Sequence, residues 1–264
     1  MPELPEIYNI SEQLKKEIVG LKIIDTNIIQ EKTINMDVDE FKKNIINQEV
    51  ISVTSKGKWI FIHFKSKDSL HINLGMGGDL LYSTTIPEKK HQAVIMLNNN
   101  HLLSFRFWWF GYIHFVDSSE EHDMTKKLGV DLIRDNISKK EFVSLFSKRK
   151  GSLKSFLLNQ KKIAGIGNYY IHDILYKAKI NPLKKTPELS TRKLGMLYES
   201  IIEEFNESSF LNGADYELDI YNIKGSFSAG SVAYKEGKNC QCGTLIKKIK
   251  TGSTSSYYCP KCQK

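Results

Sequence analysis

The position of the cysteines constrains this chain more than any other feature. All four lie within the last 25 of 264 residues, as Cys240, Cys242, Cys259 and Cys262. In a chain expected to be cytosolic, such clustering favours one metal site over two disulfides. Cys259 and Cys262 have the two-residue spacer that is usual in tetrahedral zinc sites, but Cys240 and Cys242 are one residue closer together. Four unligated thiols in a C-terminal tail are the alternative.

The segment around these cysteines has the pattern of a β-hairpin. Residues 244–250 and 255–258 are strand-like, and the sequence TGST between them supplies turn residues. A hairpin that carries two cysteine turns is typical of a zinc ribbon. We therefore expect one structural Zn²⁺ that folds a C-terminal finger.

The first 120 residues have the pattern of one helix followed by short strands. The apolar residues that form one stripe of a 3.6-residue helix are Ile7, Ile10, Leu14 and Ile18. Gly20 is placed to end this helix. Residues 22–116 then contain short β-type runs between turn signals, such as the alternating KWIFIHF. Runs at this spacing suggest an antiparallel sandwich or barrel.

From about residue 124 the pattern becomes helical. Residues 138–150 begin with a serine and, three positions later, a glutamate, which together form a capping box. Further along, Gly165 and Gly167 interrupt two helical stretches, and Asn168 is expected to begin a helix. Exposed amides at a helix start, with Lys154 nearby, would form a phosphate clamp, although a plain glycine turn is the alternative. The combined pattern predicts an α+β fold.

Charge is unevenly distributed along the chain. Residues 1–117 contain 13 Lys and Arg against 14 Asp and Glu, whereas residues 118–264 contain 25 against 16. A basic C-terminal half favours a polyanionic partner, and a solvated lysine-rich surface is the alternative. No run approaches the roughly 18 apolar residues of a membrane span. The N-terminus also lacks the layout of a signal peptide, so we expect a cytosolic protein without membrane contact.

The opening residues MPELPE allow two interpretations. Pro5 suits the start of a helix, and Glu3 and Glu6 would then only complement the positive end of the helix dipole. Alternatively, the proline and the two glutamates form a catalytic group. The residues themselves leave both interpretations open.

Three motifs occur in a fixed order: PELPE near the start, LLNQKKIAGIGNYY in the middle and CGTLI…YYCPKCQK at the end. Together they closely resemble the formamidopyrimidine-DNA glycosylase/endonuclease VIII family of base-excision repair enzymes. The resemblance covers essentially the whole chain. It implies an N-terminal helix with an antiparallel β-sandwich at 1–120, a helix–two-turns–helix domain at 121–225, and a lesion-loop region with a zinc finger at 226–264. Damaged DNA would be the partner of a monomeric enzyme.

The resemblance assigns the nucleophile to Pro2, whose amine is exposed once Met1 is removed. An α-amino group has a reference pKa of about 8, so a fair fraction is unprotonated near neutral pH. Attack on the sugar C1′ expels the damaged base and leaves an iminium ion. Because the amine is secondary, the iminium cannot lose an N–H proton. It remains an electron sink, acidifies C2′ and drives β/δ-elimination of the phosphates, which cleaves the strand.

Further catalytic roles carry over from the family to three residues. Glu3 lies beside the amine and would act as a general acid or base. Glu6, one helical turn on, is assigned to the same catalytic group. Lys58, in SKGKW, would contact a phosphate beside the lesion, and an exposed strand lysine is the alternative.

Other positions match residues that contact DNA in the family. Met76, in LGMGG, would fill the gap left by the flipped-out base, a purpose that suits an apolar side chain. A buried core methionine is the alternative. Asn168 matches a phosphate-binding asparagine, and Lys154 a basic neighbour in the helix–two-turns–helix module.

The chain departs from the family pattern at several DNA-contacting positions. Where many relatives read Arg-Arg-Phe-Gly, this chain has Trp108-Trp109-Phe110-Gly111, and we assign Trp108 and Phe110 to DNA contact. Tryptophan has one N–H donor, so recognition of the opposite base should be weak, unless Trp108 belongs to the core. Thr254, also assigned to DNA contact, stands where many relatives have a finger arginine that binds phosphates. Lys248 or Lys250 could compensate for the missing arginine. Asp173 stands where glutamate is common.

These departures favour relaxed opposite-base choice, and single-stranded, bubble or abasic substrates or an unusual bulky lesion. Two other classes of function stay open. One is a paralogue that binds damaged DNA and is catalytically silent or only an AP lyase. The other is a zinc-ribbon protein that binds nucleic acid or ribosomes without a lesion role, which would leave the N-terminal motif unexplained.

Overall fold

The structure, a computed structural model, describes residues 1–88, 90–252 and 254–264. Its internal contacts divide the chain into two compact units. Unit 1 contains Met1–Lys127 and Leu211–Ser226, and unit 2 contains Leu128–Phe210 and Phe227–Lys264. The predicted boundaries near 120 and 225 are close to the points where the chain changes unit. The predicted ranges did not assign residues 211–226 to the first unit, however.

Unit 1 begins with helix α1 (Leu4–Ile18), whose predicted apolar stripe is buried. Gly20 follows with φ of +87°, a left-handed conformation that ends the helix without the cost a side chain would bring. A second helix, α2 (Val38–Ile45), is capped by the Asp37 side chain, which accepts the N–H of Asp39. Helix α1 confirms the prediction from the isoleucine and leucine spacing.

Two antiparallel four-stranded sheets form the rest of unit 1. The strands are β1 (Ile23–Ile28), β2 (Val50–Lys56), β3 (Trp59–Phe64), β4 (Ser69–Asn73), β5 (Asp79–Ser83), β6 (Ala93–Leu97), β7 (Leu102–Arg106) and β8 (Tyr112–Val116). One sheet has the order β1-β6-β7-β5 and the other β2-β3-β4-β8. In β3, Ile60, Ile62 and Phe64 are buried while Phe61 and His63 are half-exposed, as the alternating sequence predicted, but Trp59 is buried as well.

Residues 211–226, called here the return segment, belong to unit 1 because they are hydrogen-bonded along α1. The contacts come from α1 residues at positions 6, 13 and 17, which share one helix face. Glu6 accepts the Ala214 N–H at 2.9 Å, and Gln13 donates to Asp219 at 3.0 Å. Further along, the Tyr221 hydroxyl donates to Glu17 at 2.6 Å. These partners are about 200 residues apart in sequence, so local patterns could not place this segment.

Unit 2 consists of short helices, one long helix and a terminal hairpin. Its elements are β9 (Val130–Asp131), α3 (Lys139–Ser144), α4 (Leu153–Leu157), β10 (Ile163–Ala164), α5 (Ile171–Lys177), α6 (Thr191–Phe210), β11 (Lys247–Thr251) and β12 (Thr254–Tyr258). The predicted capping box is present, because Ser138 Oγ accepts the Glu141 N–H and Glu141 accepts the Ser138 N–H. The α+β architecture is confirmed.

Two predictions about unit 2 need correction or qualification. Helix α5 begins at Ile171 rather than at Asn168, because residues 168–170 form a turn before it. In the hairpin, β11 and β12 pair antiparallel from Lys247 with Tyr258 to Thr251 with Thr254. The predicted TGST turn includes Ser253, which lies outside the described residues. Across the described ranges, no helix combines the length and apolar character that crossing a bilayer requires.

Candidate active site

The N-terminus of α1 places two buried carboxylates next to Pro2. Pro2, Glu3 and Glu6 are all buried, and the two glutamates are each 4% exposed. One Glu6 oxygen accepts the Glu3 N–H at 2.8 Å and the other accepts the Ala214 N–H at 2.9 Å. Both oxygens therefore accept backbone N–H groups, which favours a positioning role for Glu6, and its catalytic role stays a prediction.

Gly213 makes this arrangement of Glu6 possible. It has φ of +87°, and a Cβ at this position would lie 2.8 Å from Glu6 Cγ. A side chain here would push the Glu6 carboxylate off its two backbone donors. The return segment thus fixes the first turn of α1 through one glycine.

Lys58 contributes a positive charge beside Glu3. Its Nζ lies 4.0 Å from a Glu3 oxygen, and its side chain is 13% exposed. The backbone around it is fixed, because Asn73 donates to the Lys58 carbonyl at 3.0 Å. The structure therefore brings together two of the predicted catalytic residues, and the exposed-lysine alternative does not describe Lys58.

Glu217 is a third buried carboxylate near the N-terminus, and sequence reasoning missed it. One of its oxygens accepts a hydrogen bond from the Met1 amino group at 2.9 Å, with the side chain of Glu217 only 7% exposed. Burial raises the pKa of Glu217, and Asp79 and Glu3 act in the same direction, while the amino group opposes them. No local pattern marks this residue, because it lies 216 positions from its partner.

An exposed apolar loop pair in unit 1 contains the predicted base-contacting residues. Met76 is 44% exposed, Trp108 75%, Trp109 57% and Phe110 65%. Met76 and Trp109 exchange backbone hydrogen bonds of 2.9 and 3.3 Å, which join the two loops. The exposures exclude the core alternatives for Met76 and Trp108. We call these four residues the aromatic platform.

Glycines allow the two loops of the aromatic platform to approach each other closely. A Cβ on Gly75 would lie 2.0 Å from the Trp109 carbonyl oxygen, and one on Gly77 would lie 3.2 Å from the Trp108 ring. Phe110 itself has φ of +58°, which is uncommon for an aromatic residue. Strained, exposed and apolar positions of this kind cluster at binding sites.

Lys154, in unit 2, is placed differently from its predicted DNA contact. It is 1% exposed, and its ammonium lies within hydrogen-bond distance of five oxygens. They belong to Asn168, Thr251, Thr254, Ser255 and Ser256, at 2.7 to 3.3 Å. An ammonium has three N–H donors, so these oxygens can occupy all of them. Lys154 thus connects the Asn168 turn with the finger hairpin, and its burial lowers its pKa to about 8.

Asn168 and Thr254 are both held by this lysine. The Asn168 side-chain oxygen accepts from Lys154 at 3.1 Å, which turns its amide N–H₂ group to the opposite side. The Thr254 hydroxyl accepts from Lys154 at 3.1 Å and lies 3.3 Å from the Thr251 carbonyl. Both residues are half-buried. The Asn168 side-chain oxygen is therefore occupied by Lys154, and the Thr254 hydroxyl is used within the hairpin.

Asp173 fixes the polypeptide that leads into the finger. Its carboxylate accepts the backbone N–H groups of Ser231, Val232 and Ala233 at 2.8 to 3.0 Å. The residue is 2% exposed. The shorter aspartate thus reaches three donors in the stretch that resembles the family's lesion loop.

The four cysteine sulfurs converge at one point of unit 2. All of them lie within 4.8 Å of one another, with Cys240–Cys262 at 3.9 Å and Cys242–Cys259 at 3.5 Å. A tetrahedral zinc with Zn–S bonds of about 2.3 Å requires sulfurs about 3.8 Å apart, so the ligand set fits Zn²⁺. Gly243, with φ of +80°, closes the short turn by donating to the Cys240 carbonyl. This turn compensates for the missing spacer residue.

Comparison with known proteins identifies all three parts of the chain. Residues 1–107 match the formamidopyrimidine-DNA glycosylase N-terminal domain, and residues 128–214 match the H2TH domain of the same enzyme. Residues 241–264 match the zinc finger found in FPG and IleRS. The formamidopyrimidine-DNA glycosylase of Pelotomaculum thermopropionicum is 32% identical over 274 residues, covering 100% of this chain and 99% of that protein. The chain belongs to the formamidopyrimidine-DNA glycosylase family.

Solved structures of this family have the same fold. MutM in complex with DNA containing carbocyclic 8-oxo-G is 26% identical, with a TM-score of 0.89 over 100% of both chains. The Lactococcus lactis Fpg bound to DNA containing an abasic site is 27% identical, with a TM-score of 0.90 over 99% of both chains. Formamidopyrimidine-DNA glycosylases are DNA glycosylases with AP lyase activity, and this chain is an enzyme of that class. Its four cysteines hold one structural Zn²⁺.

Proposed function

We propose that this formamidopyrimidine-DNA glycosylase family member removes oxidised bases from DNA and cleaves the strand through a Schiff base on Pro2. The observation that carries the proposal is the N-terminal cluster of unit 1, where buried Pro2 precedes buried Glu3 and the Lys58 Nζ lies 4.0 Å from a Glu3 oxygen. The comparison structures contain 8-oxo-G analogue and abasic-site DNA, which supports these two substrate classes.

Each residue of the cluster has a part in the reaction. After Met1 is lost, the Pro2 amine attacks C1′, and the C1′–base bond breaks with its electron pair leaving on the base. Glu3 protonates the sugar ring oxygen as the ring opens, and the nitrogen lone pair completes the iminium. Lys58 places its charge beside Glu3, where a DNA phosphate next to the lesion would bind. Glu6 keeps the first turn in position.

Unit 2 supplies phosphate contacts through groups that are fixed in advance. Asn168 has its oxygen on Lys154, so its N–H₂ group is oriented to donate to a phosphate. The Zn²⁺ held by the four cysteines folds the finger hairpin whose oxygens surround Lys154. Because the basic surplus lies in residues 118–264, affinity should fall steeply with salt.

The aromatic platform supports relaxed recognition of the opposite base. Trp108 replaces an arginine, and with 75% exposure it offers a large stacking surface and one N–H donor. Stacking is tolerant of base identity, because every base has a π-face. We therefore expect activity on bubble and single-stranded substrates as well as on duplex DNA.

Covalent trapping tests the central proposal. Mass spectrometry first establishes that Met1 is absent, and the protein is then incubated with abasic-site DNA and borohydride. An adduct that maps to Pro2 and disappears in Pro2→Gly is expected. If correctly processed, zinc-loaded protein gives no adduct, the chain is a silent paralogue that binds damage without cutting.

A matched set of duplexes tests the opposite-base proposal. Wild type should cleave an oxidised base opposite each of the four bases at similar rates, whereas Trp108→Arg should discriminate by a further ~10-fold, since a bidentate arginine is worth about 1–3 kcal/mol. Trp108→Phe serves as the aromatic control. Strong discrimination by the wild type would contradict the proposal.

The setting in the cell follows from the same chemistry. An enzyme that scans chromosomal DNA is placed in the cytosol or on the nucleoid, and we propose that it works as a monomer. Sedimentation of the DNA complex at one protein per lesion would check the stoichiometry.

A further inference from the structure

Glu217 is a buried acid at the N-terminal amine that the mechanism above does not use. Its oxygen accepts from the Met1 amino group at 2.9 Å. Pro2 is the next residue, and consecutive α-carbons are about 3.8 Å apart, so removal of Met1 leaves the new amine within one residue's length of this carboxylate. Glu217 is therefore the carboxylate nearest to the new amine for which a contact with the N-terminus is seen. Both oxygens of Glu6 already accept backbone N–H groups.

The return segment holds Glu217 rigidly. The Glu217 N–H donates to the Ala214 carbonyl at 3.0 Å, and its carbonyl accepts from Gly225 at 3.2 Å. Two residues on, buried Asp219 accepts the backbone N–H groups of Tyr221 and Ile223 and closes the loop. A carboxylate on such a pinned loop keeps its place while the substrate binds, as proton transfer requires.

The reaction needs a proton acceptor at this point. A protonated secondary amine carries two N–H protons, and the iminium carries none. One proton must leave before nitrogen attacks C1′, and the other before the nitrogen lone pair forms the C=N⁺ bond. On an abasic sugar, the aldehyde oxygen takes up one proton when the amine adds to C1′, and it takes a second proton from an acid when it leaves as water. Glu3 supplies that proton, so a separate base has to receive those on nitrogen.

We propose that Glu217 is the general base that accepts a proton from the Pro2 amine during Schiff-base formation. This inference rests on the proposed function. It adds a third carboxylate to the site and separates the tasks, with Glu3 protonating oxygen and Glu217 deprotonating nitrogen.

The charges around Glu217 suit a base. Burial and the neighbouring acids Asp79 and Glu3 raise its pKa, which brings its proton affinity closer to that of an amine. Arg106 forms an ion pair with Asp79 and so limits the effect of Asp79 on the pKa of Glu217. The opposing group is the N-terminal amine itself, which favours the ionised carboxylate. Lys58 acts one step away, through Glu3.

The test is the pH dependence of single-turnover adduct formation on abasic-site DNA, from pH 5 to 9, with borohydride. Wild type is compared with Glu217→Gln and with Asp215→Asn, which removes the same charge from an exposed residue of the same segment. Mass spectrometry confirms that Met1 is absent from all three proteins. We expect Glu217→Gln to lower the high-pH plateau by about 10²-fold, within the usual range for general base catalysis. Asp215→Asn should match the wild type.

The same profile separates the competing roles. Loss of a nearby negative charge lowers the pKa of the amine, so the inflection of Glu217→Gln should also move to lower pH. A shifted inflection with an unchanged plateau would make Glu217 only a counter-ion and overturn the proposal. A lower plateau with an unmoved inflection would indicate a structural defect and overturn it as well. Absence of an adduct from the wild type would instead refute the proposed function.

Discussion

Lys58 and Lys154 have the same side chain in opposite surroundings. Lys58 lies beside a single carboxylate, Glu3, at 4.0 Å and keeps part of its side chain in contact with solvent. Lys154 is 1% exposed, and five oxygens from a turn and a hairpin surround its ammonium. Both lysines match family positions that suggest phosphate binding. Their surroundings differ, because the Lys58 ammonium faces one carboxylate whereas protein oxygens enclose the Lys154 ammonium.

The difference shows that the use of a lysine depends on where its N–H donors point. A phosphate contact requires donors that are directed towards solvent before DNA binds. Lys154 instead directs its donors to Asn168 and to the hairpin oxygens, so under the proposed function it would act on DNA only through Asn168. The replacement of the finger arginine by Thr254 belongs to the same arrangement, because the Thr254 hydroxyl is one of the five acceptors.

Zinc removal should separate the two lysine sites most strongly. Four of the five acceptors of Lys154 are on the finger hairpin, and structural zinc contributes about 10–16 kcal/mol to folding such modules. We expect chelation to reduce hydrogen-exchange protection of residues 247–258 by at least about 10²-fold, while α1 next to Lys58 keeps its protection. Re-addition of zinc should restore the hairpin. Equal loss of protection in α1 would contradict the separation.

Replacing each lysine by methionine is the next most sensitive comparison. Lys154→Met leaves buried oxygens without a donor and should lower the stability of unit 2 by about 3 kcal/mol. Lys58→Met should change the stability of unit 1 by less than about 0.5 kcal/mol, yet slow Schiff-base formation at least ~10-fold because a phosphate contact is lost. Guanidinium unfolding measures the two stabilities, and borohydride trapping measures the rate of Schiff-base formation.

Two probes assign these effects to their units. All three tryptophans, Trp59, Trp108 and Trp109, are in unit 1, so their fluorescence follows that unit alone. Hydrogen exchange of α6 amides follows unit 2. A Lys154→Met protein with unchanged α6 protection and weaker DNA binding would mean that Lys154 contacts phosphate directly.

The parts of the structure that the sequence predicted are those encoded by nearby residues. The isoleucine and leucine spacing of α1, the alternation in β3 and the Ser138–Glu141 cap each depend on a few neighbouring positions. The roles of Lys154 and Glu217 depend on partners about 100 and 216 positions away. The spacing of apolar residues along the chain cannot predict contacts between residues so far apart. The two backbone partners of Glu6 include one that is 208 positions away, Ala214, so the sequence alone could not indicate a positioning role for this glutamate.

Gly213→Ala and Gly20→Ala form a matched pair for the Lys58 side of the comparison. Both glycines have φ of +87°, but only Gly213 has a neighbour in the way, Glu6 Cγ at 2.8 Å. The left-handed conformation should cost each variant about 1 kcal/mol. Displacement of Glu6 should add about 1–2 kcal/mol in Gly213→Ala and slow adduct formation, as tryptophan fluorescence and trapping would show. Identical behaviour of the two variants would remove the positioning role of Glu6.

The last comparison is the pH dependence of unit 2 stability that Lys154 contributes. Burial lowers its folded pKa to about 8, while the unfolded chain holds the proton up to its ordinary value of 10.5. Between these values the unfolded state binds more protons, so this group adds stability as pH rises from about 8 to 10.5 and contributes a constant amount below about 8. The α6 exchange difference between wild type and Lys154→Met should therefore grow across that window. A flat difference would mean that burial does not lower the pKa of Lys154.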